Sequence, residues 1–166
     1  MKKFLFILFT LTLCLSISSL EQTKVEANST KVGELISTTT EYLEDGSYIV
    51  KELYIVESNY NARSTEYTKE HHLAVIQYSA SDKVLWTYDL YGTFTIVEGV
   101  SCVATASSYE TTINNSTWHF SNGSSRCVDC YVYGAGTFKH KILGITTKTI
   151  NIDVRIECDE YGNITA

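Results

Sequence analysis

Hydrophobic and polar residues alternate with a period of two along most of this chain. The clearest case is VLWTYDLYGTFTIV, residues 84–97, where the even-numbered positions are apolar apart from Gly92 and the odd-numbered positions are mixed. Because successive side chains of a strand point to opposite faces, this segment is predicted to be a strand with one face on a core. Gly92 in its middle predicts a bulge or a bend.

The same alternation predicts further strands, and no segment has the period of a convincing helix. These strand segments are residues 36–58, 65–79, 100–108, 116–121, 126–141 and 147–158. Asp45-Gly46 divides the first segment into a hairpin, because glycine accepts the positive φ of a tight turn. Asn122-Gly123 predicts another turn on the same grounds.

About seven short strands joined by polar turns are typical of an antiparallel β-sandwich. We predict an all-β sandwich with immunoglobulin-like topology, and a barrel is the alternative architecture. Cys102, Trp118 and Cys158 follow the cysteine, tryptophan, cysteine order of the immunoglobulin fold. The chain departs from that fold at Ile156, where the tyrosine of a tyrosine corner would stand.

The N terminus has the pattern of a secretory signal peptide. Two lysines precede an almost wholly apolar run from Phe4 to Leu15, which is short for a membrane span. Cleavage is expected after Ala27, with Ser18 as the second candidate, and an uncleaved anchor is the alternative to cleavage. The sequence thus predicts a signal peptide over 1–27, a mobile segment over 28–33 and one secreted, extracellular domain over 34–166.

The charge and the polar motifs exclude several classes of function. The chain has a formal net charge of −6 and no basic run, which makes nucleic acid and anionic membranes poor partners. No stable membrane anchor is expected after signal cleavage. No nucleophile motif is present, so we predict no enzyme, no catalytic residue and no cofactor. His71 and His72 are adjacent in a predicted strand, face opposite sides and cannot hold one metal ion.

Four cysteines remain after the predicted cleavage, and an even number in an exported chain favours disulfides over metal or catalytic thiols. They are Cys102, Cys127, Cys130 and Cys158. The C-x-x-C pair lies among valines and tyrosines, which favour a strand, whereas a redox pair opens a helix. A zinc site would need more ligands, for which only His119 or His140 could be recruited.

Geometry alone leaves the pairing of these cysteines open. In a regular strand, residues three apart face opposite sides, so Cys130 would point inward and Cys127 outward unless a turn or bulge separates them. A hairpin centred on Gly144 would place Cys130 opposite Cys158 and leave Cys102 for Cys127. The other scheme joins Cys102 to Cys158 and Cys127 to Cys130.

Several motifs resemble an uncharacterised family of small exported β-rich proteins from Gram-positive bacteria. They are TTTEYLEDGSYIVKEL, LWTYDLYGTFTI, STWHFSNGSS and IECDEYGNIT, and the resemblance covers about residues 38–166. The resemblance implies an exported β-domain with no assigned activity. It also implies that Cys102 pairs with Cys158, while Cys127 and Cys130 are additions to the family pattern. On that basis we favour the 102–158 and 127–130 scheme.

Tyrosine is the unusual feature of the composition, with 12 in the chain. Parity places Tyr91, Tyr131 and Tyr133 on outward faces, where aromatic rings can contact sugars or proteins. We therefore expect a disulfide-stabilised, non-enzymatic module that binds an extracellular glycan or protein. A secreted toxin-like or antimicrobial effector is the alternative.

Overall fold

The computed structural model describes residues 33–59 and 65–166, and within them the chain forms nine β-strands. The strands are β1 (Glu34–Tyr42), β2 (Tyr48–Asn59), β3 (Glu66–Tyr78), β4 (Val84–Val97), β5 (Ser101–Ile113), β6 (Trp118–Val128), β7 (Tyr131–Ile142), β8 (Ile145–Cys158) and β9 (Ile164–Thr165). The predicted signal peptide, its cleavage sites and nearly all of the predicted mobile segment lie outside the described residues. Among the described residues, no helix is long and apolar enough to cross a membrane.

The strands form two antiparallel sheets that are not closed into a barrel, which confirms the predicted β-sandwich. The five-stranded sheet has the order β1-β2-β3-β4-β5, and the four-stranded sheet has the order β6-β7-β8-β9. Neighbours in space are therefore neighbours in sequence. This succession of hairpins differs from the immunoglobulin-like topology expected above, whose Greek-key connections pass back and forth between the sheets.

The predicted turn at Asp45-Gly46 is confirmed, and Gly46 has a φ of +78°. The predicted turn at Asn122-Gly123 is wrong, because both residues lie within β6, next to a β-bulge after Phe120. The chain reverses instead at Asp129-Cys130, where Asp129 has a φ of +51°. Aspartate tolerates this left-handed conformation better than most residues, so it can replace glycine in the turn.

The core lies between the two sheets and is rich in aromatic rings. Trp86 of β4 stacks on Phe138 of β7, with ring centroids 3.8 Å apart, and both side chains are fully buried. The five-stranded sheet packs closely against β7 where β7 carries glycine. A Cβ at Gly134 would lie 2.8 Å from the Tyr88 hydroxyl, so a side chain there would force the sheets apart.

The two long sides of the sandwich differ. On one side β5 and β6 are joined across the sheets, because the Ala104 N–H donates to the Asp129 carbonyl at 2.7 Å and the Tyr109 hydroxyl donates to the Gly123 carbonyl at 3.2 Å. On the other side, the β1–β2 hairpin and β8 face each other. That side opens into a cleft between the sheets.

Candidate functional sites

The cleft on the open side has a volume of about 630 Å³, within the range of ligand pockets. It is bounded by the β1–β2 hairpin on one wall and by residues 148–154 of β8 on the other. Its buried lining is apolar and includes Ile49, Ile152 and Val154. The charged lining consists of three exposed carboxylates and two lysines: Glu41, Glu44, Asp153, Lys51 and Lys148.

The β8 wall of this cleft is an unpaired strand edge in the described part of the chain. β8 pairs with β7 along its length, but β9 pairs only with Glu157 and Cys158 on the other side. The backbone N–H and C=O groups that point away from β7 between Ile145 and Ile156 therefore have no strand partner there. Such an edge can accept another extended chain.

An ion pair lies at one end of the cleft. Lys148 Nζ is 2.6 Å from Asp45 Oδ2, and Asp45 also accepts hydrogen bonds from the backbone and hydroxyl of Ser47. The hydrogen bond from Lys148 is the largest influence that lowers the pKa of Asp45. Both side chains are partly exposed, so the pair contributes little to stability. It does connect the β1–β2 turn to β8.

The three tyrosines proposed as ligand contacts lie on opposite outer faces. Tyr91 is on the five-stranded sheet and is only 6% exposed. Tyr131 and Tyr133 are half-buried on the four-stranded sheet, with ring centroids 5.9 Å apart. Arg155 lies over the Tyr131 ring at 5.4 Å and Arg126 over the Tyr133 ring at 5.0 Å. The three tyrosines therefore do not form one binding surface.

Tyr91 belongs to a polar cluster on the outer face of the five-stranded sheet. The His72 ring stacks between Tyr54 and Tyr91, with centroid distances of 5.4 and 4.6 Å. Its Nε2 lies 2.8 Å from Asp89 Oδ1, while Thr87 donates a hydrogen bond to the other carboxylate oxygen. His72 Nδ1 is buried without a hydrogen-bond partner. His72, Asp89 and Tyr91 are buried and Tyr54 is half-buried, which makes the cluster a structural feature rather than an open pocket.

His71 points to the other side of the same strand, as the adjacency of the two histidines requires. It is fully buried in the core, with its ring centroid 5.6 Å from that of Phe94. Burial, with a smaller contribution from the positive charge of Lys69, lowers the pKa of His71 to about 4, and the Tyr54 backbone opposes only part of the shift.

All four cysteines lie near one end of the sandwich, and none is bonded to another in the structure. Cys102 of β5 and Cys158 of β8 are in side-chain hydrogen-bonding contact across the two sheets. Burial is the main cause that raises the pKa of both thiols. Two thiols held against each other are placed for a disulfide, whereas their raised pKa values make either a weak nucleophile on its own.

The predicted register holds up to His140, since Phe138 pairs with Ile150 and the Cys158 N–H donates to the Cys130 carbonyl at 3.1 Å. A register shift after His140 places the turn at Leu143-Gly144 and not on Gly144 alone. The side-chain contact of Cys158 is nevertheless with Cys102. The inference that Cys127 faces outward is wrong. Cys127 pairs with the buried Val132 and packs on the core, because the turn at Asp129-Cys130 breaks the strand parity on which the inference relied.

Sequence reasoning missed the cleft and the His72–Asp89 pair. The edge of β8 beside the cleft has no partner among the other described strands because β9 is only two residues long, and no local pattern signals that length. The polar pair had a weak signal in the odd-numbered positions of β4, where Asp89 interrupts a strand of apolar and uncharged residues. No group of three or more His, Cys, Asp and Glu in the described ranges is arranged to hold a metal ion. Comparison with family models, curated proteins and solved structures finds no match for this chain.

Proposed function

We propose that this protein is a secreted, non-enzymatic binding module that takes an extended segment of a partner protein into the cleft beside β8. The observation that carries the proposal is the edge of β8, which lacks a partner among the described strands beyond β9 and forms one wall of a 630 Å³ cleft. An extended peptide can add to such an edge through main-chain hydrogen bonds, while alternate side chains enter the pocket.

The lining of the cleft specifies the kind of segment. Ile150, Ile152 and Val154 alternate along β8 and line the cleft. A partner strand beside them would place every second side chain on the same apolar surface. Residues 148–154 match a segment of about seven residues, with apolar side chains at alternate positions and charged side chains able to meet the half-buried Lys51 or the exposed Glu44.

A peptide fits these observations better than a glycan. Glycan sites of the expected kind use exposed aromatic rings, but Tyr91 is buried and the rings of Tyr131 and Tyr133 are covered by arginines. No aromatic residue is among the described residues that line the cleft. The cleft instead combines an apolar lining with unpaired backbone, which are the two requirements for adding a strand.

A displayed library of random peptides, selected on the purified protein, tests this function. The selected peptides should carry apolar residues at alternate positions, and a bound peptide should slow amide hydrogen exchange in residues 148–154. The variant Ile150→Lys should weaken peptide binding by at least about tenfold, since it buries a charge in the apolar lining.

Ile113→Lys is the matched control, because Ile113 is an exposed apolar residue on β5, the edge strand of the joined side. It should leave peptide affinity unchanged. Equal losses in both variants, or exchange protection outside β8, would contradict the proposal. A glycan array that responds to the protein and loses its signal in Tyr133→Ala would favour the glycan alternative.

We further propose that Cys102 and Cys158 form a disulfide when the protein is exported. The two thiols would lose two protons and two electrons to an acceptor disulfide on a thiol oxidase, which is reduced to two thiols. The bond would join β5 to β8 and, by restricting the unfolded chain, stabilise the fold by about 4 kcal/mol.

Peptide mapping without reduction is the direct measurement of this bond. A peptide pair linking residues 102 and 158 is expected, with Cys127 and Cys130 linked to each other or free. A 130–158 linkage, or two free thiols at 102 and 158, would contradict the assignment. Cys127→Ser should retain the 102–158 link, whereas Cys102→Ser should lose it.

A further inference from the structure

The tip of the β7–β8 hairpin carries three apolar side chains in solvent. Ile142 is 52% exposed, Leu143 97% and Ile145 69%. Leu143 and Gly144 form the turn and have φ values of +50° and +82°. Asparagine or glycine would adopt a positive φ at lower cost than leucine, so turn formation does not explain Leu143. Because it is almost fully exposed, its side chain adds little to the packing of the described residues. Together with Ile142 and Ile145 it forms an exposed apolar patch, the kind of surface that marks an interaction site.

The charge around this tip differs from that of the whole chain. Lys139 and Lys141 precede the tip, Lys148 follows it, and residues 130–152 contain no Asp or Glu. Asp45 neutralises part of this charge through its ion pair with Lys148. Lys139 and Lys141 remain as a local positive charge on a protein whose formal net charge is −6.

We propose that this hairpin tip docks on the surface of an anionic lipid bilayer. Apolar side chains ahead of a basic collar fit the interface between acyl chains and acidic headgroups, where apolar burial and electrostatic attraction add. Lys141 is one residue from Ile142, so its ammonium group reaches headgroup phosphates when the tip enters the acyl boundary. Three side chains are too small an area for a stable contact between two protein copies.

Co-sedimentation with vesicles tests the proposal on the purified full chain. The vesicles contain phosphatidylcholine alone or phosphatidylcholine mixed with phosphatidylglycerol. Binding should require the anionic lipid and should weaken as salt is added, because the charges are exposed. Leu143→Asn should lower the partition coefficient by about tenfold, since it removes one large apolar side chain, and asparagine suits the turn. Lys141→Gln should lower it by a few fold.

Val100→Asn is the matched control, because Val100 is 75% exposed in the turn before β5. It should bind vesicles as the unaltered protein does. All three variants share the same N terminus, so that segment cannot cause a difference in vesicle binding between them. Equal binding to neutral and anionic vesicles, or equal loss in Val100→Asn and Leu143→Asn, would overturn the proposal. Concentration-dependent dimerisation without lipid that Leu143→Asn abolishes would also overturn it and assign the tip to a second copy.

Discussion

The two sheets use tyrosine on their outer faces in different ways. On the four-stranded sheet, Tyr131 and Tyr133 are half-buried, and each ring lies beside an arginine. On the five-stranded sheet, Tyr91 is buried and stacks on His72, which Asp89 contacts in turn. The same residue type at the same strand parity is thus half-buried beside an arginine in one sheet and part of a buried polar cluster in the other.

This difference shows that outward parity does not mean exposure to solvent. In β7 the pattern alternates regularly between buried and half-buried residues, as expected for a strand with one solvated face. In β4 seven consecutive residues from Trp86 to Gly92 are buried, on both faces. Cross-strand neighbours decide the outcome, because a large ring beside His72 removes both groups from water.

The largest expected effect on the free energy of unfolding comes from removing Tyr91, and removal of Tyr133 from the other outer face is the comparison. Tyr91→Ala should destabilise the protein by about 3 kcal/mol, because it leaves a cavity and exposes the buried His72 ring. Tyr133→Ala should cost less than about 1 kcal/mol, since its half-buried ring loses mainly a surface cation–π contact. Urea unfolding of both variants measures the two free energies. Similar losses would contradict the distinction between the two faces.

A smaller effect should follow from removing an outer-face carboxylate. Asp89→Ala should cost about 2 kcal/mol, because a buried ring nitrogen of His72 then loses its hydrogen-bond partner. Asp153→Ala, at an exposed position of β8, should change stability by less than about 0.5 kcal/mol. Thermal and urea unfolding compare the two variants. If Asp153→Ala is as costly as Asp89→Ala, the polar cluster has no special role in stability.

Much of the fold was predictable because its signals are local. The predicted strand over residues 84–97 coincides with β4, and its alternating apolar positions form the core from Trp86 to Ile96. The Asp45-Gly46 turn and the β7–β8 register also follow from short patterns. Each of these depends on residue type within a few positions, which is what periodicity and turn chemistry report.

The remaining features depend on contacts between distant segments. The immunoglobulin-like topology was expected from cysteine and tryptophan order, but residue order does not determine which sheet a strand joins. The orientation of Cys127 depends on a turn at Asp129, which has a φ of +51°. That turn contains no glycine, so no signal for it is present in the sequence. The unpaired edge of β8 beside the cleft depends on the length of β9. The net charge of −6 does not report the local positive charge at the hairpin tip.

The smallest expected effect is on the pH dependence of stability. It is tested by comparing two histidines in different environments, His71 in the core and His119 exposed on β6. The folded protein holds the pKa of His71 at about 4, below the value of about 6.5 in the unfolded chain. As pH falls below 6.5, His71 is protonated in the unfolded chain but not in the folded protein. Protonation therefore favours the unfolded state, and stability present at pH 7 is lost. The loss between pH 7 and pH 5.5 should be about 1 kcal/mol. Urea unfolding at both pH values should show this loss of stability in His119→Leu and not in His71→Leu. The opposite result would contradict the assignment of the loss to His71.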